Sequence, residues 1–443
     1  LATGLSPNNT MHRTILIRAA CLYVPLMLLA LLMARRYPTR RQAAGMLTGV
    51  MWTLPALLVL QLLNLKFGWW SFHAAGGLLR GMPADLYLGW VLLWGALPTL
   101  LFPRLNLVLV IAVIFGVDLV AMPACAPVVE LSDRWLVGEV VALLLVLLPA
   151  QLFSRWTVDD THLSARAFLH VVCSGAIFLF LVPESIFAMT GGGSWSALAT
   201  EPGWRVGLEL QVVALIAAIG VSATQEFAQR GRGTPIPQDP PQRLVTSGMY
   251  RYVGNPMQLS CSLVLTAWGV VLDHPWVVVA GLVAVTYGIG LANWDEEEDL
   301  GERFGEAWRA YRKQVPHWRV RWRPFHDPAA PAARLYVAES CGPCVEVRRW
   351  FAARHATGLE IIAAEDHPTR DLERITYDPR DGGHEEEGLA AFARGLEHLH
   401  FGWAYVGALA RLPVIRHVVQ TLLDSTGLGP RPVKRRCDIT DAH

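Results

Sequence analysis

Residues 257–300 read MQLSCSLVLTAWGVVLDHPWVVVAGLVAVTYGIGLANWDEEEDL, and their pattern decides the fold. Two apolar runs, 257–272 and 275–293, are separated only by Asp273 and His274, and Pro275 opens the second. Proline suits the first turn of a helix and breaks later turns, so the runs read as a tight helical hairpin. Asp295 to Asp299 then give five consecutive acids, followed by Phe304, Gly305, Trp308, Tyr311 and Val315. That is an amphipathic helix with its negative charge at the N-terminal end, where the macrodipole favours it.

Upstream, seven more apolar runs are long enough to cross a bilayer, which takes about 20 residues. They cover 14–33, 43–65, 85–102, 105–122, 134–153, 166–187 and 205–224, making nine spans in all. The composition agrees: of 443 residues 53% are hydrophobic and 17% charged, with a mean hydropathy of +0.34. A soluble globular chain is more polar. Lys and Arg number 38 against 37 Asp and Glu, so a nucleic-acid partner has no support. Residues 1–294 hold 17 basic and 13 acidic side chains, and residues 295–443 hold 21 and 24, which marks a polar tail behind a membrane part.

Arg35, Arg36, Arg40 and Arg41 follow the first span, more positive charge than precedes it, so it reads as an uncleaved anchor. Met11 is the expected natural start. Arginines then recur in alternate loops, at Arg104, at Arg155 and Arg166, and at Arg230, Arg232, Arg243 and Arg251. The positive-inside rule places the N-terminus outside and the long seventh loop and tail in the cytoplasm, in a multi-pass protein of the bacterial inner membrane. Asp118, Glu139, His170 and Glu209 fall within spans. Intramembrane ionisable groups are functional candidates, although pairing within the bundle or snorkelling at a helix end also accounts for them. No spacing suggests a metal. Seven cysteines are present, and Cys21, Cys125, Cys173, Cys261 and Cys437 stand alone in sequence, so no disulfide framework is expected.

The Pro- and Gly-rich loop 231–257 before the hairpin is a shaped, non-helical segment with Tyr250 and Tyr252 around Arg251. A solvated helix start and a plain connector would explain the acidic run and the loop separately. Together they offer rings to stack an adenine, backbone amides, and carboxylates for an amine or ribose hydroxyl. That set suits a nucleoside amino acid such as a sulfonium methyl donor, for which positioning supplies most of the rate.

At Leu244-Val245-x-x-Gly248-x-Tyr250, Asn255-Pro256-Met257-Gln258 and Glu296-Glu297-x-x-Leu300-x-x-x-Phe304-Gly305-x-x-Trp308-x-x-Tyr311, the chain resembles the isoprenylcysteine carboxyl methyltransferase and phospholipid methyltransferase superfamily over 231–316. The resemblance implies an integral membrane enzyme that binds S-adenosylmethionine. By motif position its contacts are Gln242, Arg243, Leu244, Val245, Tyr250, Asn255, Pro256, Met257, Gln258 and Glu296, with Arg251 and Glu297 serving methyl transfer. Gly254 stands where the family has an Arg, Gln258 where it has a Tyr, and Ala292 where carboxyl-methylating members have the basic residue that holds the substrate carboxylate. The implied acceptor is therefore a lipid or an apolar thiol or amine.

Residues 323–333 read as a Pro- and Ala-rich linker, expected to be the tail's only tether. After it come a short apolar run at 334–338, Cys341-Gly-Pro-Cys344, a helical pattern through Val347, Trp350 and Phe351, and a second strand at 359–362. Strand, Cys-x-x-Cys, helix, strand is a thioredoxin-like opening. A helix N-terminus activates the outer thiol, which makes Cys341 the nucleophile and Cys344 the resolving thiol of a redox pair. Zinc binding and a vestigial motif stay open, although His355, His367 and His384 are not spaced as a second ligand pair. Gly388 to Leu396, Trp403 and Arg411-Leu-Pro413 give 334–430 a resemblance to the DCC family of thiol-disulfide oxidoreductase-like domains, from which Glu339 and the Gly-Pro insert depart.

The expected architecture is an all-α polytopic membrane protein of nine helices with a C-terminal α/β thioredoxin-like domain. The expected domains are membrane helices 1–165, a methyltransferase-like domain 166–322, the linker 323–333 and the thioredoxin-like domain 334–436. Its partners are the lipid bilayer, a lipid or small apolar acceptor and a thiol redox partner. Two rivals stand beside it. One is a membrane-anchored thiol oxidoreductase, for which Cys21, Cys125, Cys173 and Cys261 offer no second pair by sequence. The other is a carrier or scaffold worked by the early spans with a vestigial methyltransferase fold.

Overall fold

A computed structural model describes residues 7–436, except the side chains of 7–10 and 291–296. Cys437, Glu296 and Ala292 therefore fall, wholly or by their side chains, outside the described residues. The chain is mostly helical and divides into two compact units. The first comprises Leu1–Val206, Arg232–Pro240 and Ala267–Val279; the second comprises Gly207–Gly231, Pro241–Thr266 and Ala280–His443.

Among the described residues seven helices are long and apolar enough to cross a membrane. They are α1 (Pro7–Arg35), α2 (Arg40–Phe67), α3 (Ala84–Leu101), α4 (Leu107–Ala124), α5 (Trp135–Val158), α6 (Leu163–Thr190) and α7 (Gly203–Gly231). The expectation of nine spans is corrected at the hairpin. Its helices, α8 (Pro256–Val271) and α9 (Pro275–Gly290), are short. The 16 residues of α8 rise about 24 Å, against a hydrocarbon core of about 30 Å. Asn255-Pro256 at one end and Asp273-His274 at the other stop α8 early.

In the first unit the chain supplies its own helix ends. Thr39 forms a capping box with Gln42 at the start of α2, and the Asn106 side chain accepts from the Leu109 amide at the start of α4. Leu86, Trp94, Leu97, Val146 and Leu147 are buried, whereas Leu16, Val108 and Val120 are exposed. Apolar side chains outside as well as inside are what a lipid solvent requires. The loop 232–240 is fixed by buried Asp239, which accepts from Arg166 Nη1 (2.8 Å), Arg41 Nη1 (2.5 Å) and Thr234 Oγ1 (2.7 Å).

In the second unit α10 (Asn293–Gln314) is kinked at Gly305, where φ is 51°. The sequence suggests one continuous helix there. A four-stranded sheet follows, built from β1 (Ala333–Val337), β2 (Leu359–Ala363), β3 (Thr376–Asp378) and β4 (Glu386–Glu387), in the order β2-β1-β3-β4. β1 and β2 are parallel, and β3 is antiparallel to both β1 and β4. Helices α11 (Gly342–Ala352) and α12 (Leu389–Leu396) cover one face, where Leu335, Phe351, Tyr377 and Leu396 form the core. Then come α13 (Phe401–Ala410) and α14 (Pro413–Leu423), bent by 85° at a short break and together as apolar as a span.

The tail is held by far more than its linker. The Tyr252 hydroxyl donates to the Glu397 carbonyl (3.0 Å) and the Phe401 amide to the Trp322 carbonyl (3.0 Å). Tyr405 of α13 donates its hydroxyl to the Leu215 carbonyl of α7 (2.7 Å), in the middle of that helix's apolar run. Residues 207–231 and 241–266 and the tail thus belong to one compact unit.

Candidate functional site

The candidate residues sit where α7, the loop 241–255, the start of α8, the end of α9 and the chain after α10 meet. Val245 and Tyr250 are buried and pack with Met257 against Ala223 and Phe227 of α7. The Tyr250 and Phe227 rings lie 6.1 Å apart. Leu244 joins Trp308, Tyr311, Val315 and Phe325 in a second cluster, and the Tyr311 hydroxyl donates to the Tyr250 carbonyl (2.7 Å). Gln242 and Arg243 are exposed, with both backbone amides turned to the Gly231 carbonyl.

Asn255 is buried, and its Oδ1 accepts from the Gln258 amide (3.2 Å), the geometry of a helix cap, with Pro256 as the first residue of α8. The Gly254 and Asn255 amides donate to the Pro316 and His317 carbonyls. A Cβ on Gly254 would stand 2.7 Å from His317 Cδ2 and 3.1 Å from its Cα, which accounts for glycine at a position where the resembling family has an arginine. Gln258 and Trp318 both close on Gly288 at the end of α9.

Sequence reasoning missed His317. The residue is buried beside Trp308, and among the described residues neither ring nitrogen has a partner, nor has Trp318 Nε1. Burial, reinforced by the Arg312 guanidinium, pushes the His317 imidazole down to about 4, so it is neutral near pH 7. Buried polar atoms without partners are uncommon and call for an explanation. A polar ligand beside Asn255–Gln258 would supply one, and that is the feature of this chain that fits a nucleoside amino acid. Glu297 is exposed and pairs with Arg312 (3.0 Å). Arg251 is engaged elsewhere, with Nη1 donating to the Phe325 carbonyl (3.0 Å) and Nη2 lying 3.5 Å from His398 Nε2.

Behind this loop lies a buried ionic cluster that the sequence did not announce. Arg394 of α12 donates to Glu226 (2.8 Å) and Glu386 (2.7 Å), Arg411 donates to Glu226 (2.7 Å) and to Glu397, and Ser247 Oγ bonds Glu226. The Gly248 amide donates to Glu397 Oε2 (3.0 Å). Gly248 has φ of 60°, and a Cβ there would stand 3.2 Å from Glu226 Cγ, so both backbone and space require glycine. Burial works against the charge of Arg394, yet Glu226, Glu397 and Glu386 outweigh it and hold its pKa well above the ordinary value. Glu386 is likewise opposed by burial but kept low by Arg394 and Arg411.

Cys341 stands at the N-cap position of α11, and Cys344 Sγ donates to Cys341 Sγ at 2.8 Å. Burial and that hydrogen bond push the Cys344 thiol up to about 12. Among the described residues no group of His, Cys, Asp and Glu could hold a metal ion. In the first unit Asp118 accepts from Trp90 Nε1 (2.8 Å) and lines one small cavity with Gln61 and Glu139, paired within the bundle and not at a helix end. His170 packs on the Phe153 ring (4.9 Å), and Glu209 is half-buried. Two of the cysteines that stand alone in sequence do not stand alone in space: Cys21 and Cys125 have their sulfurs 3.9 Å apart.

Compared with known proteins, the model of the phospholipid methyltransferase family matches residues 207–307, from α7 into α10. No curated protein and no solved structure matches the chain.

Proposed function

We propose that the protein is an integral membrane S-adenosylmethionine-dependent methyltransferase acting on a lipid or an apolar thiol or amine. The observation that carries this reading is the family match over 207–307, inside which Tyr250 and Asn255–Gln258 converge beside the unpartnered His317 and Trp318. S-adenosylmethionine supplies, when bound, a methyl group on a sulfonium. The chain's part is placement. Tyr250 and Val245 give an apolar wall, Asn255 and Gln258 give amide hydrogen-bonding groups, and Glu296 is the carboxylate proposed for the ligand's amine or ribose. Glu297 is already paired with Arg312, and Arg251 with Phe325 and His398, so both serve methyl transfer as positioning groups. Holding donor and acceptor in line accounts for most of the rate in such chemistry.

The tail is proposed as a thioredoxin-like thiol-disulfide domain of the DCC type. The sheet order β2-β1-β3-β4, the place of Cys341 at the N-terminus of α11 and its contact with Cys344 support that assignment. The arginine distribution supports an N-terminus outside and a tail on the cytoplasmic side. Purified protein incubated with methyl-labelled S-adenosylmethionine and host lipid extract should transfer label to an organic-soluble product. Label that stays wholly on the donor, with lipid and apolar amine extracts alike, would overturn the assignment.

A further inference from the structure

Cys21 lies in α1 and Cys125 immediately follows α4, 104 residues later, yet their sulfurs are 3.9 Å apart and each side chain is half-buried. We infer that Cys21 and Cys125 form a disulfide that ties α1 to the end of α4. A free thiol needs no such partner, and these two meet from 104 residues apart. An S–S bond is about 2.0 Å long, so the sulfurs have about 1.9 Å to close from their 3.9 Å contact.

The position of the pair within the first unit favours oxidation. One turn before Cys21, Arg18 donates to the Ala75 and Gly76 carbonyls and pairs with Asp85 at the start of α3 (2.6 Å). Just after Cys125, residues Val129–Leu131 pair antiparallel with Trp70–Phe72. The sulfurs therefore sit about one helical turn beneath the polar loops that join α2 to α3 and α4 to α5. Those loops carry few basic residues, which by the charge rule puts them outside, in the compartment where disulfides form and persist. The step rests on that orientation and is independent of methyl transfer.

The reaction is thiol-disulfide exchange with an oxidised dithiol or low-molecular-weight disulfide. A Cys21 or Cys125 thiolate attacks the donor's disulfide, the donor's S–S bond breaks, and the second cysteine resolves the mixed disulfide. One S–S bond forms for one broken; the donor leaves as two thiols carrying the two protons, and the two cysteines are oxidised. The consequence is mechanical. α1 has no buried residue in its most apolar window, so a covalent tether to α4 would hold a helix that packing grips weakly.

The test uses the full chain in native membranes, treated with oxidised glutathione, then denatured in detergent and alkylated with a maleimide. Denaturation removes shielding by burial as a cause of low labelling. In the wild type, Cys125 should label at least fivefold more after a reductant is added, and digestion without reductant should yield one linked peptide pair containing Cys21 and Cys125. In Cys21→Ser, Cys125 should label fully without reductant. Equal labelling of Cys125 in the wild type with and without reductant, or a glutathione adduct on either cysteine with no linked peptide, would overturn the inference.

Discussion

Replacing Arg394 by Met tests how the tail holds the loop that carries the candidate site. Met keeps much of the bulk and removes the charge. Glu226, Glu397 and Arg394 are each about 1% exposed, so what remains is Glu226 and Glu397 sharing Arg411, with Glu386 at 3.9 Å from Arg411 and Arg230 at 3.9 Å from Glu226. The hydrogen bonds lost to Glu226, Glu386 and Glu397 would be worth about 1.5–3 kcal/mol each if they were independent. They are not independent, because Arg411 still bonds both carboxylates, and breaking a buried pair costs about 3–5 kcal/mol. The loop should loosen accordingly, because the Gly248 amide bonds Glu397. Hydrogen exchange in detergent micelles should then show Gly248 and its neighbours opening about a hundredfold to a few thousandfold faster, at 1.4 kcal/mol per factor of ten. Adding Glu226→Gln to Arg394→Met should recover at least about 1 kcal/mol, since it removes the orphaned charge. If Arg394→Met shifts stability by less than about 0.5 kcal/mol and leaves exchange at 243–253 unchanged, the cluster is not what fixes the loop.

Three further outcomes are expected. Because the folded His317 titrates near 4 and the unfolded one near 6.5, the unfolded state binds the extra proton between those values; stability should fall by about 3 kcal/mol as pH drops from 6.5 to 4, and His317→Phe should flatten that part of the denaturation profile. Cys344 is held as a thiol, so iodoacetamide near pH 7 should modify Cys341 first, and equal rates by mass spectrometry would remove the redox assignment. Gly254→Ala should lower stability by about 1–3 kcal/mol in thermal unfolding, because its Cβ would press on the His317 backbone, whereas an unchanged melting point would mean that chain can yield.

The membrane helices were legible because lipid imposes one simple requirement, a long apolar run, and α1 to α7 meet it. The hairpin misled for the same reason: hydropathy sees two apolar runs but not that Asn255-Pro256 and Asp273-His274 hold α8 to 16 residues. The tail's order of strand, Cys-x-x-Cys, helix and strand was readable locally. Its attachment was not, since no local pattern announces that Glu226, at the end of an apolar helix, meets Arg394 and Arg411 nearly 170 residues later or beyond. A faint signal existed in Arg394, a charge set among Ala390, Ala391, Ala393 and Leu396, all buried. Likewise the Cys21–Cys125 contact depends on how distant helices pack, which spacing along the chain does not encode.

The central claim stands or falls on cofactor binding by the intact protein. Isothermal titration of S-adenosylmethionine into the full chain in lipid nanodiscs should give saturable binding, weakened about fivefold to 150-fold in Glu296→Ala, the loss of a charged hydrogen-bond partner worth about 1–3 kcal/mol. Saturable binding lost in the variant would support the site as drawn. Absence of binding by the wild-type chain would contradict the methyltransferase account.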